Sequence, residues 1–216
     1  MSLLTKLFNY ILLTTKKYGI DESHGMSHSM NVLHFANNIY EAEIQNYPIL
    51  ETHERIIYVS AIIHDMCDKK YMDEDEGLYN IGCFLNDKIE PSEIDAVKRI
   101  VRTMSYSKVK KNGFPDLQEY QMAYHVVREA DLLSAYDFDR CMLYNIHHNK
   151  HNKNSENIEM INAFSDAHEL FHKRVFKHED DSLLITDYSK AMHKELSLLA
   201  HTRINTWKKM IQKTTI

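Results

Sequence analysis

Residues 56–66, IIYVSAIIHDM, are an almost unbroken apolar stretch that ends in a histidine, an aspartate and a methionine. Ile56 and Ile63 fall at helical spacing on one face of this stretch. That spacing carries His64 and Asp65 toward the core side of a helix, where a carboxylate is costly unless it is paired or coordinates a metal. The stretch therefore predicts a buried helix that delivers a His-Asp pair to the interior, with an ordinary Asp-His pair at the surface as the alternative.

The chain as a whole is poor in the residues that make turns. It has 216 residues with 5 Gly and 3 Pro, whereas average usage of ~7% Gly and ~5% Pro would give about 15 and about 11. Sandwiches and barrels need Gly- and Pro-rich turns at short intervals, and doubly wound sheets need Gly in many loops. Long helices need neither, so the composition predicts an all-α fold, a compact multi-helix bundle.

Apolar residues recur at helical spacing along most of the chain. They predict helices at about 2–18, 28–45, 52–67, 75–87, 91–104, 117–133, 136–149, 156–178 and 187–214. The polar stretch 150–157 is predicted to be a loop. Because no linker or repeat divides the sequence, we expect a single domain over residues 1–216, with C-terminal helices at about 155–214.

Charge and cysteine content exclude several classes of protein. Lys and Arg number 26 against 31 Asp and Glu, a net charge of −5, which argues against broad nucleic-acid binding because that depends on neutralising phosphates. Cys67, Cys83 and Cys141 show no paired spacing, so we expect no disulfide framework and a reducing, cytoplasmic location. No run of about 18 apolar residues occurs, so we expect no membrane span. The oligomeric state stays open, and a homo-oligomer is compatible with the sequence.

Two further residues have the chemistry to complete a metal site with the His-Asp pair. Asp131, in VVREADLLSAY at 126–136, interrupts an otherwise apolar helix face and therefore needs a cation nearby. His28 stands at the mouth of a predicted helix, in DESHGMSHSMNVLHFA at 21–36. Two imidazoles and two carboxylates form a mixed nitrogen and oxygen donor set, which suits Mn²⁺, Fe²⁺, Co²⁺, Ni²⁺ or Mg²⁺ better than a structural zinc. Such a set leaves positions open for water and a substrate.

The order of His28, His64-Asp65 and Asp131 resembles that of the HD-domain metal-dependent phosphohydrolase superfamily, in particular its small stand-alone members. The stretches that carry the likeness are HGMSHSMNVLHFA at 24–36, SAIIHDMCDKKY at 60–71, IVRTMSYSK at 100–108, VVREADLLSAY at 126–136 and ITDYSKAMHKELSLLAHTRINTW at 185–207. The resemblance implies a metal-site core at about 20–140. It also implies one divalent ion held by those four residues, with Mn²⁺ preferred and Mg²⁺, Fe²⁺, Co²⁺ or Ni²⁺ as alternatives.

The same resemblance implies hydrolysis of a phosphoester or phosphoanhydride in a small phosphorylated substrate, with a nucleotide as the expected class. Cations are then needed to offset phosphate charge, and an acid or imidazole to move protons. The residues expected to take part in catalysis are His24, Asp68 and Lys70. The residues expected to bind the substrate are Lys69, Arg102, Ser105, Ser107 and Arg128, with Lys108 as a further cation and Tyr71, Tyr79, Tyr106 and Phe114 as candidate stacking faces. Each of them has an ordinary alternative role as a solvated, core or helix-end side chain.

Two other functions stay open. A non-catalytic metal- or nucleotide-binding sensor or interaction protein would keep the same ligands. A di-iron oxygenase on the HD scaffold would need more ligands, yet a single histidine, His125, lies between the two predicted aspartate ligands. The Glu-Asp pair that alarmone hydrolases carry just after the HD motif is absent here, and Asp68, Lys69 and Lys70 occupy that region. This difference disfavours an alarmone substrate.

Overall fold

The computed structural model describes residues 1–149 and 156–214, which are helical with no β-strand in these ranges. Ten α-helices follow one another: α1 (Leu3–Tyr18), α2 (Met26–Glu43), α3 (Leu50–Ile63), α4 (Glu74–Leu85), α5 (Pro91–Thr103), α6 (Tyr106–Asn112), α7 (Gln121–Ser134), α8 (Phe138–Asn149), α9 (Glu156–Lys173) and α10 (Asp187–Thr214). Short 3₁₀ turns occur at Glu22–His24, Gln118–Tyr120 and Val175–Lys177. The all-α prediction is confirmed, and most of the polar stretch predicted as a loop, residues 150–155, lies outside the described residues.

Among the differences from the prediction are two helix ends and one additional helix, each with a local reason. The third helix ends at Ile63 rather than at 67, since the His64 side chain donates to the Ala61 carbonyl at 2.9 Å and so satisfies an acceptor at the helix end. Helix α6 was not expected, because Val109 is its one buried residue and a single residue gives no apolar periodicity. Helix α9 ends at Lys173 rather than 178, where the chain tightens into a 3₁₀ turn.

The main core forms where α2, α3 and α7 pack against one another. Its fully buried side chains include Val32, Ala36 and Ile39 of α2, Ile57, Ile62 and Ile63 of α3, and Val126, Val127 and Ala130 of α7. A second apolar cluster joins α8, α9 and α10, with the Phe138 and Phe171 rings 5.1 Å apart. Leu196 of α10 packs against both clusters, so the C-terminal helices close against the three-helix core.

Two buried carboxylates attach the start of α10 to that core. Glu129 of α7 accepts the backbone N–H groups of Ile185 and Thr186 at 2.8 and 3.0 Å, and Glu43 of α2 accepts that of Tyr188 at 2.9 Å. The first N–H groups of a helix have no partner inside the helix and attract negative charge. Helix α10 is the longest at 28 residues, yet no helix in the described ranges has the length and apolar character needed to cross a bilayer.

Among the five glycines, Gly77 of α4 leaves the least room for a side chain, so we expect Gly77→Ala to destabilise the protein. A Cβ at this position would lie 2.5 Å from Cys67 Cβ and 2.7 Å from Cys67 Cα, and such overpacking costs about 1–3 kcal/mol. Gly82, in the same helix, is the matched control, because a Cβ there would meet nothing nearer than 3.7 Å. Gly82→Ala should stabilise by about 0.5–1 kcal/mol through helix propensity. Urea unfolding of both variants tests this, and equal effects would contradict it.

Acid should destabilise the protein through two buried histidines. Burial, reinforced by Arg174, lowers the pKa of His178 to about 3, and burial with Arg128 lowers that of His125 to about 4. The folded protein keeps both rings neutral, whereas the unfolded chain binds protons below about pH 6.5. The free energy of unfolding should therefore fall as the pH drops from about 6.5 toward 4, by up to about 1.4 kcal/mol per pH unit for each histidine.

The variant His178→Leu should lose about half of the dependence of the unfolding free energy on pH that the two histidines produce. Leu is similar in volume to His but binds no proton. His34→Leu, at an exposed position of α2, should keep the slope of the wild type. Urea unfolding at pH 7.5, 6.0 and 5.0 measures the slopes. A His178→Leu slope equal to that of the wild type would contradict the assignment.

Candidate metal centre and cavity

The four predicted metal ligands meet where α2, α3 and α7 pack together. His28 lies near the start of α2, His64 and Asp65 directly follow α3, and Asp131 lies in the last turn of α7. These helices form the main core, so residues distant in sequence converge at one end of their interface. His28 and His64 are buried, while Asp65 and Asp131 retain side-chain exposures of 15% and 26%.

The ligand atoms lie close enough to share one ion. His28 Nε2 is 3.1 Å from His64 Nε2 and 3.2 Å from Asp65 Oδ2, and His64 Nε2 is 3.1 Å from the same oxygen. Asp131 Oδ1 lies 3.5 Å from His28 Nε2 and 3.7 Å from His64 Nε2. Neighbouring ligand atoms around an ion with bonds of about 2.1 Å are separated by about 3.0–3.4 Å. The group of His28, His64 and Asp65 can therefore hold a metal ion, with Asp131 beside it.

Hydrogen bonds at the outer edge of the group leave its inner atoms available. His64 uses Nδ1 to donate to the Ala61 carbonyl at 2.9 Å, so Nε2 faces the centre. His28 Nδ1 lies 3.5 Å from the hydroxyl of Ser134. The buried Asp65 Oδ2 has no hydrogen-bond partner, although two imidazole nitrogens lie within 3.2 Å of it. An orphaned carboxylate oxygen is costly, and a cation placed between it and the imidazoles would satisfy it. The donor set thus fits a divalent metal.

The charges of the group depend strongly on one another. Burial lowers the pKa of His64, but the Asp65 and Asp131 carboxylates outweigh burial and raise it to about 9. Burial raises the pKa of Asp65, whereas His64 and His28 bring it well below its usual range. The pKa of Asp131 is also lowered, by His28 and His64 against the effect of burial. The carboxylates therefore attract positive charge to the centre, and a bound metal would replace the proton that they otherwise hold on His64.

The ligand group lines a cavity of about 390 Å³. The predicted catalytic and binding residues that share this cavity with the four ligands are His24, Asp68, Lys69, Lys70, Ser105, Ser107 and Lys108. Asp68 orients Lys70, accepting its backbone N–H at 2.9 Å, with Asp68 Oδ2 3.6 Å from Lys70 Nζ. Lys108 pairs with Glu74, which also lines the cavity. Most of the predicted site thus lies together around one cavity.

Arg102 and Arg128 do not line this cavity, contrary to the sequence prediction. Arg102 is exposed and donates to Asp75 at 2.7 Å, since it projects from α5 toward the start of α4. Arg128 is fully buried, pairs with Glu129 at 3.0 Å and lies 4.8 Å from the centre of the Phe114 ring. Arg128 therefore contributes to the packing of α7 in the core and does not reach the cavity.

Two cavity arginines were missed by sequence reasoning. Arg140 of α8 is half-buried and donates to the Ser23 carbonyl at 2.9 Å. Arg174, just after α9, lies with its guanidinium 4.1 Å from the centre of the Tyr106 ring. Neither forms an ion pair with a carboxylate of the described residues. Both come from helices far along the chain, and Arg174 stands beside Lys173 in a basic stretch that offers no local signal to distinguish it.

The four candidate stacking residues lie in different places, and one of them, Tyr106, lines the cavity. Its ring already covers Arg174. Tyr71 donates to Asp21 at 2.6 Å. Tyr79 is 67% exposed, and Phe114 covers Arg128 outside the cavity. The aromatic wall of the cavity consists instead of Tyr106 together with Tyr144 and Phe171, two residues that were not expected there.

Comparison with known proteins supports the helical fold. No family model matches the chain, and no curated protein matches it. A crystal structure of a Lactobacillus plantarum protein, solved as a structural-genomics target, is similar over 97% of each chain, with a TM-score of 0.67 and 19% sequence identity. At this identity the similarity shows a shared helical fold.

Removal of the central carboxylate should strongly weaken metal binding at this site. We expect Asp65→Asn to weaken Mn²⁺ binding by about 100-fold or more, because loss of even an outer hydrogen-bond partner of a ligand costs about 10–100-fold. Asp75→Asn, at an exposed carboxylate paired with Arg102, is the control and should bind as the wild type does. Isothermal titration calorimetry measures both affinities. Equal binding by Asp65→Asn and the wild type would show that the metal binds elsewhere.

Proposed function

We propose that this protein is a metal-dependent phosphohydrolase of the HD-domain type, acting on a phosphoester or phosphoanhydride in a small substrate, with a nucleotide as the preferred class. The observation that carries the proposal is the position of the buried His28, His64 and Asp65 group in the wall of a cavity that also carries five basic side chains. Those five are Lys69, Lys70, Lys108, Arg140 and Arg174.

The metal would be held by His28, His64, Asp65 and Asp131. A divalent ion held there would lower the pKa of a bound water and polarise a phosphoryl oxygen. Mn²⁺ is our preferred ion, because a mixed set of imidazole and carboxylate donors suits it as well as Fe²⁺, Co²⁺, Ni²⁺ or Mg²⁺. One ion is proposed, since the part of the chain that the structure describes contains one group of three or more such ligands.

The basic residues would bind phosphate oxygens. Arg140 and Arg174 have no carboxylate partner among the described residues, so their charges are available to a ligand. Guanidinium groups bind phosphate through paired N–H donors. Lys70 is oriented by Asp68 and lies on the side of the cavity next to His24. These cations would offset the charge that develops on the phosphate in the transition state.

The shape of the cavity supports a substrate that is larger than phosphate alone. A volume of about 390 Å³ falls within the range of roughly 300–1,000 Å³ typical of small-molecule sites. Part of its wall is apolar, formed by Leu132, Leu170, Phe171 and Val175. An anionic group near the metal and an apolar or aromatic group against this wall together describe a nucleotide. The three free cysteines are consistent with a cytoplasmic location, which we include in the proposal.

A panel of nucleotides and phosphoesters tested with Mn²⁺, Mg²⁺, Co²⁺ and Ni²⁺ should identify a substrate, and product analysis should distinguish pyrophosphate from orthophosphate release. Asp65→Ala should lower kcat by about 1,000-fold or more, since the charge stabilisation by the metal is worth several kcal/mol. Asp75→Ala is the matched control, and circular dichroism should show both variants folded.

Three results would contradict this function. Turnover that survives Asp65→Ala would show that this site does not carry the reaction. Two irons per chain and a requirement for oxygen would indicate a di-iron oxygenase. Tight nucleotide binding with no turnover under any metal would indicate a sensor or interaction protein.

A further inference from the structure

His24 is held at one ring nitrogen by a small, largely buried cluster. Its Nδ1 lies 2.8 Å from Ser23 Oγ and 3.1 Å from the Tyr71 hydroxyl. Both hydroxyls also contact Asp21, because Tyr71 donates to Oδ2 at 2.6 Å and Ser23 donates to Oδ1. The side chains of His24 and Asp21 are 14% and 12% exposed. The cluster therefore fixes both the position of the ring and its hydrogen bonding.

Counting protons in this cluster determines the tautomer of His24. Burial raises the pKa of Asp21, but hydrogen bonds from His24, Ser23 and Tyr71 outweigh it, so the carboxyl is ionised and can only accept. Each hydroxyl has one proton and gives it to Asp21. Each hydroxyl oxygen can then only accept from His24, and this requires the imidazole proton to reside on Nδ1.

The other ring nitrogen faces the cavity with its lone pair. Lys70 Nζ lies 3.3 Å from His24 Nε2, and an ammonium group can only donate. A proton on Nε2 would set two donors against each other, so the geometry agrees with a ring that carries its proton on Nδ1. The His24 ring centre is 6.2 Å from that of the metal ligand His28. Nε2 is thus a hydrogen-bond acceptor beside the candidate metal centre.

We propose that Asp21, Ser23 and Tyr71 are positioning residues that hold His24 in its Nδ1–H tautomer, so that Nε2 serves as the proton acceptor for hydrolysis. This inference rests on the proposed function. When phosphate draws Lys70 away, an O–H bond of the attacking water breaks and its proton bonds to the Nε2 lone pair. The water oxygen keeps the electron pair and bonds to phosphorus, while the electron pair of the broken P–O bond goes to the leaving oxygen. His24 afterwards releases the proton to solvent.

The tautomer can be read without any enzyme assay. Protein labelled with ¹⁵N-histidine gives long-range ¹H–¹⁵N spectra that distinguish the two neutral forms, and His24→Gln assigns the His24 signals. We expect Nδ1–H in the wild type. In Asp21→Asn, the amide oxygen accepts from one of the two hydroxyls, while the amide NH₂ donates to the other. That second hydroxyl is then free to donate its own proton to His24 Nδ1. The Nε2–H form should therefore become dominant. Asp116→Asn is the matched control. Asp116 Oδ1 accepts the backbone N–H of Gln118 at 3.0 Å, but this aspartate lies at an exposed site.

Kinetics with the substrate found in the panel test the role of the tautomer. Asp21→Asn should lower kcat by about 100-fold, the lower end of the range for general acid–base groups, with KM within about twofold of wild type. The double variant Asp21→Asn/His24→Gln should be no slower than His24→Gln alone, because residues that act as one unit are not additive. Tyr71→Phe should give a smaller loss, whereas Tyr58→Phe, which removes a hydroxyl bonded to Asn37, should give none.

The outcomes separate the two proposals. An Nε2–H tautomer in the wild type, or no change of tautomer in Asp21→Asn, would overturn the positioning role. A changed tautomer with unchanged kcat, or additive losses in the double variant, would overturn the proton-acceptor role while the proposed function stands. If the wild type turns over no compound, the proposed function fails and the proton-acceptor role fails with it, whereas the spectra still decide whether the cluster positions His24.

Discussion

The buried carboxylate of Asp65, 3.1–3.2 Å from two imidazole nitrogens, is the constraint on which the arrangement of this protein depends. A carboxylate in a core is tolerated only where positive charge lies beside it. His28 and His64 come from different helices, so the carboxylate requires α2 and α3 to meet at this point, and Asp131 requires the same of α7. The main core, formed by these three helices, is therefore also the framework of the candidate metal centre.

The polar groups of the interior divide into those that hold helices together and those that face the cavity. Glu43 and Glu129 accept hydrogen bonds from backbone N–H groups around the start of α10. Arg128 pairs with Glu129 and lies against aromatic rings. Arg140 and Arg174, by contrast, contact a carbonyl and a ring face and keep their charge unpaired among the described residues. Arg128 has a carboxylate partner in Glu129, although its Nε and Nη1 atoms lack hydrogen bonds. Arg140 and Arg174 have no such carboxylate among the described residues, so these two are the ones available to an anionic ligand.

The surplus of 14 histidines similarly has several physical origins. His28 and His64 face carboxylates at the candidate metal centre, and His24 is oriented toward the cavity by its neighbours. His125 and His178 are buried next to arginines, so burial and the neighbouring positive charge keep them neutral. Others, including His168, His172 and His201, lie at the surface of α9 and α10 near one another. The count alone would not separate these groups, because the pKa and partners of an imidazole depend on what surrounds it.

The helical class could be predicted from scarce Gly and Pro and from the 3.6-residue apolar period. Asp65 and Asp131 could be predicted as candidate ligands because they interrupt apolar helix faces, with His64 adjacent to Asp65 and His28 at the mouth of a helix. Both are local properties of the chain. Helix α6 was missed because one buried residue gives no period. The cations that reach the cavity could not be predicted from the sequence, because they depend on how the helices pack. Arg128 lies three residues from Asp131 yet points into the core, while Arg140 and Arg174 come from α8 and the end of α9. A long flexible side chain is directed by the partners it meets across helices, and proximity in sequence does not specify them.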